Sequence, residues 1–334
     1  MTQTSLTQQV SPLAAGAHVT AAAFLGATPA LALGNGCVLL GEGVTQARVA
    51  AHPDAAILVG ASDGERLLTG GDDGRLVETR ADGTTRELAH EKGKWIDALT
   101  TRDDGVLAWA AAKQVRARDA KGEVKSWTAP STVRGLAFLP KGYRLAAAHY
   151  NGVSLWFPNL AAEPDLLEWK GAHHAVTLSP DAKFCVSAMQ ENSLHGWRVA
   201  DKKNMKMTGY PGKVNSVSWS HDGKWLATAG AEACIVWPFG TNDGPMGKKP
   251  RECGVRPARV SRVAFHPSAL IVALGYEDGW AMLCRLTDAS ELLVRAPRDG
   301  AGGGAVTALC WDAKGQRLLF GTAEGEAGLL TLPV

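Results

Sequence analysis

Val214-Asn-Ser-Val-Ser-Trp219, followed by Ser220-His-Asp-Gly-Lys224 and Trp225-Leu-Ala-Thr-Ala-Gly230, is the passage on which the fold turns. Apolar and polar residues alternate along its first piece, the period of a half-buried strand. Its middle piece is a tight turn, where Asp and Gly accept backbone angles that other residues resist. Its last piece is a strand that begins with large apolar residues and ends with small ones. The same phrase returns over residues 175–188 around Ser179-Pro-Asp-Ala-Lys183, and over residues 133–148 around Leu139-Pro-Lys-Gly142. Further turns stand at His266-Pro-Ser-Ala269 and Asp312-Ala-Lys-Gly315, with weaker copies at Gly26-Ala-Thr-Pro29, Ser62-Asp-Gly-Glu65 and Arg102-Asp-Asp-Gly105.

A third strand follows each second one, often ending on a large apolar residue. Examples are Asn151-Gly-Val-Ser-Leu-Trp156, Asn192-Ser-Leu-His-Gly-Trp197, Ala233-Cys-Ile-Val-Trp237 and Asp278-Gly-Trp-Ala-Met-Leu283. A fourth, more polar strand is expected at residues 84–88, 123–127, 165–169 and 291–294. The copies recur at roughly 41 residues, the period of a four-stranded propeller blade. First strands counted from Val19, Ala55, Trp95, Val133, His174, Val214, Val260 and Val306 predict an all-β, closed β-propeller of eight four-stranded antiparallel blades, with seven as the alternative. Helix should fall below about a tenth of residues, because no segment keeps a 3.6-residue apolar period. The last unit lacks a fourth strand. Residues 6–13 form a strand without a blade, so residues 1–17 are expected to supply the missing outer strand and latch the ring. The whole of 1–334 is then one domain.

Composition narrows the class. Apolar residues make up 46% of the 334 residues, too many for a disordered chain. A formal net charge of +2 argues against a surface devoted to nucleic acid. No apolar run approaches the ~18 residues of a membrane span, and MTQTSLTQQV lacks the basic and apolar regions of a secretory signal. Cys37, Cys185, Cys234, Cys253, Cys284 and Cys310 form no CxxC pair and lie mostly in apolar strands. They are expected as free, buried thiols in a reducing, cytoplasmic compartment.

The repeated phrase resembles that of the WD-repeat β-propellers over essentially the whole chain, as a divergent, bacterial-type member. That family's repeat has Gly-His before the first strand, a Ser-Pro-Asp-Gly-like turn, and Trp-Asp closing the third strand. The turn survives at residues 179–183 and 220–224. Gly-His is degraded to Gly16-Ala-His18 and Gly171-Ala-His173. Trp156, Trp197 and Trp237 are followed by Phe157, Arg198 and Pro238 where the family has Asp. The resemblance implies a binding scaffold whose blade hydrogen-bond network of His, Ser, Asp and Trp is incomplete.

Catalytic signatures are missing from the sequence: no HExxH, no nucleophile elbow, no phosphate-binding Gly-Lys-Ser/Thr loop. Two readings compete for His18, His149, His173 and His174. They could line a channel-mouth metal site, or His18 and His173 could serve blade networks while His149 sits in a hairpin. His52, His221 and His266 lie beside Pro or Asp and are expected as exposed turn residues. Asp72, Asp73, Glu191, Glu232, Glu277, Asp278 and Glu324 all fall between second and third strands, where carboxylates commonly serve turn geometry. The Gly300-Ala-Gly-Gly-Gly304 run is expected as a connector.

Charge is distributed unevenly. Between Arg198 and Arg262 basic residues outnumber acidic ones by more than two to one, whereas residues 42–104 are acidic. Lys202, Lys203 and Lys206, with Lys248, Lys249 and Arg251 from the long loop 241–250, are therefore the expected partner-binding residues. The expected function is a non-enzymatic scaffold for a protein or peptide with an acidic surface, monomeric by itself, without cofactor, membrane or nucleic-acid partner. A propeller with a metal or small-molecule site at the channel mouth is the alternative.

Overall fold

The computed structural model describes residues 5–297 and 303–333. Among these residues the regular structure is almost entirely strand. The only helices are single 3-10 turns at Thr7–Gln9 and Gly43–Thr45. The protein is an all-β propeller of four-stranded antiparallel blades. Within each unit the strands follow one another as hairpins; in the first, Val19–Leu25, Thr28–Leu33, Cys37–Leu40 and Ala47–Ala50 pair in sequence order.

First strands meet around the axis. Thr20 donates to the carbonyl of Ile57 at 3.1 Å, Trp219 Nε1 to Thr177 Oγ1 at 3.1 Å, and Ser261 Oγ to the carbonyl of Val306 at 2.7 Å. Crowding there explains the small residues. A Cβ on Gly60 would stand 2.7 Å from Ala21 Cβ, and one on Gly135 would stand 2.7 Å from Ala175 Cα. Outer strands lie open to water: Ala47–Ala50, Thr85–His90 and Arg251–Cys253 are largely exposed. The buried apolar clusters lie between neighbouring sheets. One sheet alone could not bury both of its faces.

The expectation of eight blades is corrected to its alternative, seven: the described strands form seven sheets, six of four strands and one of six. The six-stranded sheet arises because the chain runs unbroken through Gly171, so that Asp165–Leu178 is one long strand. Its first half pairs with residues 152–155 and its second half with Phe184–Met189. The preceding strand, Leu145–Trp156, folds back within itself. His149 Nε2 lies 2.8 Å from Ser154 Oγ, although residues five apart on an extended strand stand about 16 Å from each other.

Of the N-terminal segment, Val10–Leu13 pairs antiparallel with Ala327–Thr331, Val10 opposite Leu330 and Leu13 opposite Ala327. It thereby forms the outer strand of the sheet that also holds Val306–Trp311 and Arg317–Thr322. Residues 300–302 of the glycine run lie outside the described residues. Trp95, expected to open a strand, is instead a loop residue with 62% of its surface exposed; the strand begins at Ala98.

Candidate functional site

The turns joining first to second and third to fourth strands emerge at one end of the propeller, since successive antiparallel strands reverse direction. Two such third-to-fourth turns carry the basic cluster. The first, residues 199–203, follows the strand Ser193–Arg198. The second, residues 239–250, follows Cys234–Pro238 and is long. Ion pairs bring the two together: Lys203 Nζ lies 2.9 Å from Asp243 Oδ1, and Arg198 reaches Asp243 at 3.5 Å while donating to the carbonyl of Asn242 at 3.0 Å. Arg198 also grips Asp201 at 2.5 Å, and its guanidinium holds that carboxyl down at about 2. Asp243 is likewise held below the ordinary carboxylate range by Lys203.

The six expected partner-binding residues therefore divide. Lys202 pairs with Asp165 of the preceding unit, and Lys203 with Asp243. Arg251 lays its guanidinium over the Trp225 ring, 4.4 Å from the centroid, and donates to the carbonyl of Leu286 at 3.2 Å. Lys248 folds over its own loop, donating to Thr241 Oγ1 at 2.5 Å and to the carbonyl of Gly244 at 3.2 Å. Both of those acceptors are neutral, and the carboxylate of Asp243 on the same loop feels its charge. Lys206 and Lys249 are exposed and, among the described residues, have no side-chain partner. Met246, at the tip of the same loop, exposes 47% of its surface.

The candidate metal histidines are not gathered into a site. His18 is exposed. His149 is buried between Ser154 Oγ and the carbonyl of Tyr150. His173 is buried between Ser187 Oγ, at 2.7 Å, and the carbonyl of Trp169, at 2.9 Å. His174 Nε2 contacts the carbonyl of Val214. Burial pushes the last three below the ordinary imidazole value. Among the described residues no group of three His, Cys, Asp or Glu side chains is arranged to hold a metal ion.

Two histidines expected on the surface are buried. His52 bridges Asp73, at 3.1 Å, and Thr69 Oγ1, at 2.9 Å. His266 lies against Gly315 and accepts from the amides of Ser268 and Ala269 through Nδ1. His52 with Thr69 and Asp73 is a blade network, as is His173 with Ser187. A third network uses a residue no motif would flag. Tyr210 OH lies 2.7 Å from Thr228 Oγ1 and accepts from Trp237 Nε1 at 2.6 Å, so a tyrosine stands where the repeat would place histidine. The acidic hairpin residues largely serve their turns: Asp72 accepts from the amide of Ala56, and Asp278 accepts from the amide of Trp280 and pairs with Arg256.

Sheets stacked about an axis, each with its own hydrogen-bond network, define a repeat propeller. The WD domain, G-beta repeat family matches residues 202–237, which include Tyr210, Thr228 and Trp237. The chain has the β-propeller fold, and that segment of it resembles this repeat family. Propellers of this family are commonly protein-interaction scaffolds and typically non-enzymatic. Among solved structures, the computationally designed Ika8 protein matches with a TM-score of 0.77 over 95% of this chain and 97% of its own, at 18% identity, a likeness of fold alone. No curated protein matches the sequence. Because 1719 solved chains match in fold, the fold by itself narrows function little. No helix among the described residues is long and apolar enough to cross a membrane.

Proposed function

We propose that this propeller is a non-enzymatic docking platform for a protein with an acidic surface, engaged at the loop 239–250 and its neighbour 199–203. The observation that carries the reading is the Lys203–Asp243 pair. It fastens two loops from successive units into one surface, with Lys248 and Lys249 exposed on the second loop and Lys206 exposed on the adjoining outer strand Asn204–Met207. Clustered like charge raises association rate and fixes orientation more than it adds affinity. Lys202 and Arg251 belong to the platform's framework and not to its docking face, since each is engaged within the chain.

The same proposal takes residues 1–334 as one domain. Val10–Leu13 is the latch that completes the last blade. Six unpaired thiols support a reducing, cytoplasmic setting.

The test is charge reversal at Lys248→Glu and Lys249→Glu. With the partner captured by the unmodified protein, association should slow by about tenfold at low salt and lose much of its salt dependence. Circular dichroism and melting temperature should be unchanged. Identical association rates, or a partner that docks on the opposite end beside the exposed Trp95, would overturn the proposal.

A further inference from the structure

Three of the six thiols converge although they are far apart in sequence. Cys234, in the strand Cys234–Pro238, is the direct cross-strand partner of Cys253, in the outer strand Arg251–Cys253. Cys284, in the strand Ala281–Arg285 of the next sheet, belongs to the same apolar cluster. A Cβ placed on Gly254, the neighbour of Cys253, would stand 3.3 Å from Cys284 Sγ. Cys234 and Cys284 are buried, whereas Cys253 is partly open to solvent. No other cysteine among the described residues has a cysteine as its strand partner.

The three sulfurs share their protons unequally. The closeness of the Cys234 and Cys284 thiols lowers the Cys253 thiol from its ordinary value. Burial first, and the nearby Cys253 sulfur second, push Cys234 up; the contact with Cys253 does most to push up Cys284. Cys253 is the most accessible sulfur of the three and so the one a solvent-borne oxidant reaches first.

We propose that Cys253 and Cys234 form a redox site in which a hydroperoxide oxidises Cys253 and Cys234 closes a disulfide on it. The Cys253 thiolate attacks one peroxide oxygen; the S–O bond forms, the O–O bond breaks, and hydroxide leaves as water after protonation. The Cys234 sulfur then attacks the sulfenic sulfur. The S–S bond forms, the S–O bond breaks, and hydroxide leaves with the Cys234 proton as a second water. The two sulfurs together supply the two electrons that reduce the peroxide. Directly opposed residues of antiparallel strands have Cα atoms about 4.5–5.5 Å apart, within the separation a disulfide spans. Cys284 lies on another sheet and packs in the same apolar cluster. The bond would clamp the short strand Arg251–Cys253 to its neighbour, and thiol reductants would release it, as befits a disulfide in a reducing compartment.

Peptide mapping tests this. Reduced protein is treated with stoichiometric hydrogen peroxide and then alkylated. The expected product is a Cys234–Cys253 link, removed by dithiothreitol, absent from Cys253→Ser and retained in Cys284→Ser. Cys253 should also alkylate at pH 6 about tenfold faster than Cys37 and Cys310, the other partly buried thiols. Six thiols still free, a Cys253 that proceeds to sulfinic acid without a link, or a link to Cys284 would each overturn the assignment. Mapping of the unmodified protein decides the matter even if a serine variant fails to fold.

Discussion

Thr307 Oγ1 donates to the carbonyl oxygen of Val19 at 2.6 Å, tying the first strand of the last sheet to the first strand of the first. Beside this bond a Cβ built on Gly321 would stand 2.5 Å from Val19 Cγ1. The same device recurs inside the chain, where Gly275 receives Val306 and Gly70 receives Ile96. In each case a glycine of a second strand makes room for an apolar residue of the following unit, so the last sheet packs on the first as any sheet packs on its successor.

Gly321→Ala should therefore destabilise the whole protein. The clash is with a buried side chain and backbone-borne carbons, and overpacking of this kind costs about 1–3 kcal/mol. The midpoint of denaturant unfolding should fall with its slope unchanged. An unaltered midpoint would show that the first and last sheets do not depend on this contact.

Deleting residues 1–13 removes Val10–Leu13 and also Leu6, which is buried against Leu283, Val294, Phe320 and Leu330. The amide of Leu6 donates to the carbonyl of Leu293 at 2.7 Å, so the segment touches two sheets. Its loss should lower the melting temperature of the entire propeller and promote concentration-dependent association through the uncovered edge of Ala327–Thr331. A melting temperature equal to that of the full chain would refute the latch.

Acid should destabilise the protein below about pH 6.5. His195 is fully buried, stacked on the Trp169 ring at 3.8 Å between centroids, and neither ring nitrogen has a hydrogen-bond partner. Burial first, with the charges of His173 and Lys206, pushes it down to about 3. A folded-state pKa below the unfolded one means that the unfolded chain binds the proton more readily. The stability contributed by neutral His195 is thus complete above pH 6.5 and is lost as pH falls toward 3, by up to about 1.4 kcal/mol per pH unit. His195→Phe keeps the stacking and removes two unsatisfied polar atoms. It should raise stability at neutral pH by about 1 kcal/mol and flatten the acid limb of a stability–pH curve. An acid limb identical to that of the parent would assign the effect to other groups.

Part of this was legible in the residues. Val214-Asn-Ser-Val-Ser-Trp219 announced a strand, and Ser220 Oγ does cap its turn by accepting from the amide of Trp225 at 3.0 Å. The first strands found at Val19–Leu25, Val260–Phe265 and Val306–Trp311 begin where the repeat placed them. Lys203 meets the loop of the neighbouring unit through Asp243, and Asp201 and Asp243, interleaved among the basic residues, take up part of the charge. His52 was misplaced because Ala51-His-Pro-Asp54 has the composition of an exposed turn; what buries its ring is Thr69 and Asp73 on the next hairpin. Tyr210 carried no signal at all, being a substitute for histidine visible only once Thr228 and Trp237 are beside it.

By itself the sequence determined strand, turn and repeat, because alternation and turn chemistry act over a few neighbouring residues and are written wherever those residues stand. Only the tertiary structure decided that Gly171 fuses two units into one sheet, that Lys203 meets Asp243, and that Cys253 lies opposite Cys234 in one cluster with Cys284. Those meetings depend on strand register and on the angle at which one sheet stacks on the next, quantities fixed by the packing of the whole ring and by no local run of residues.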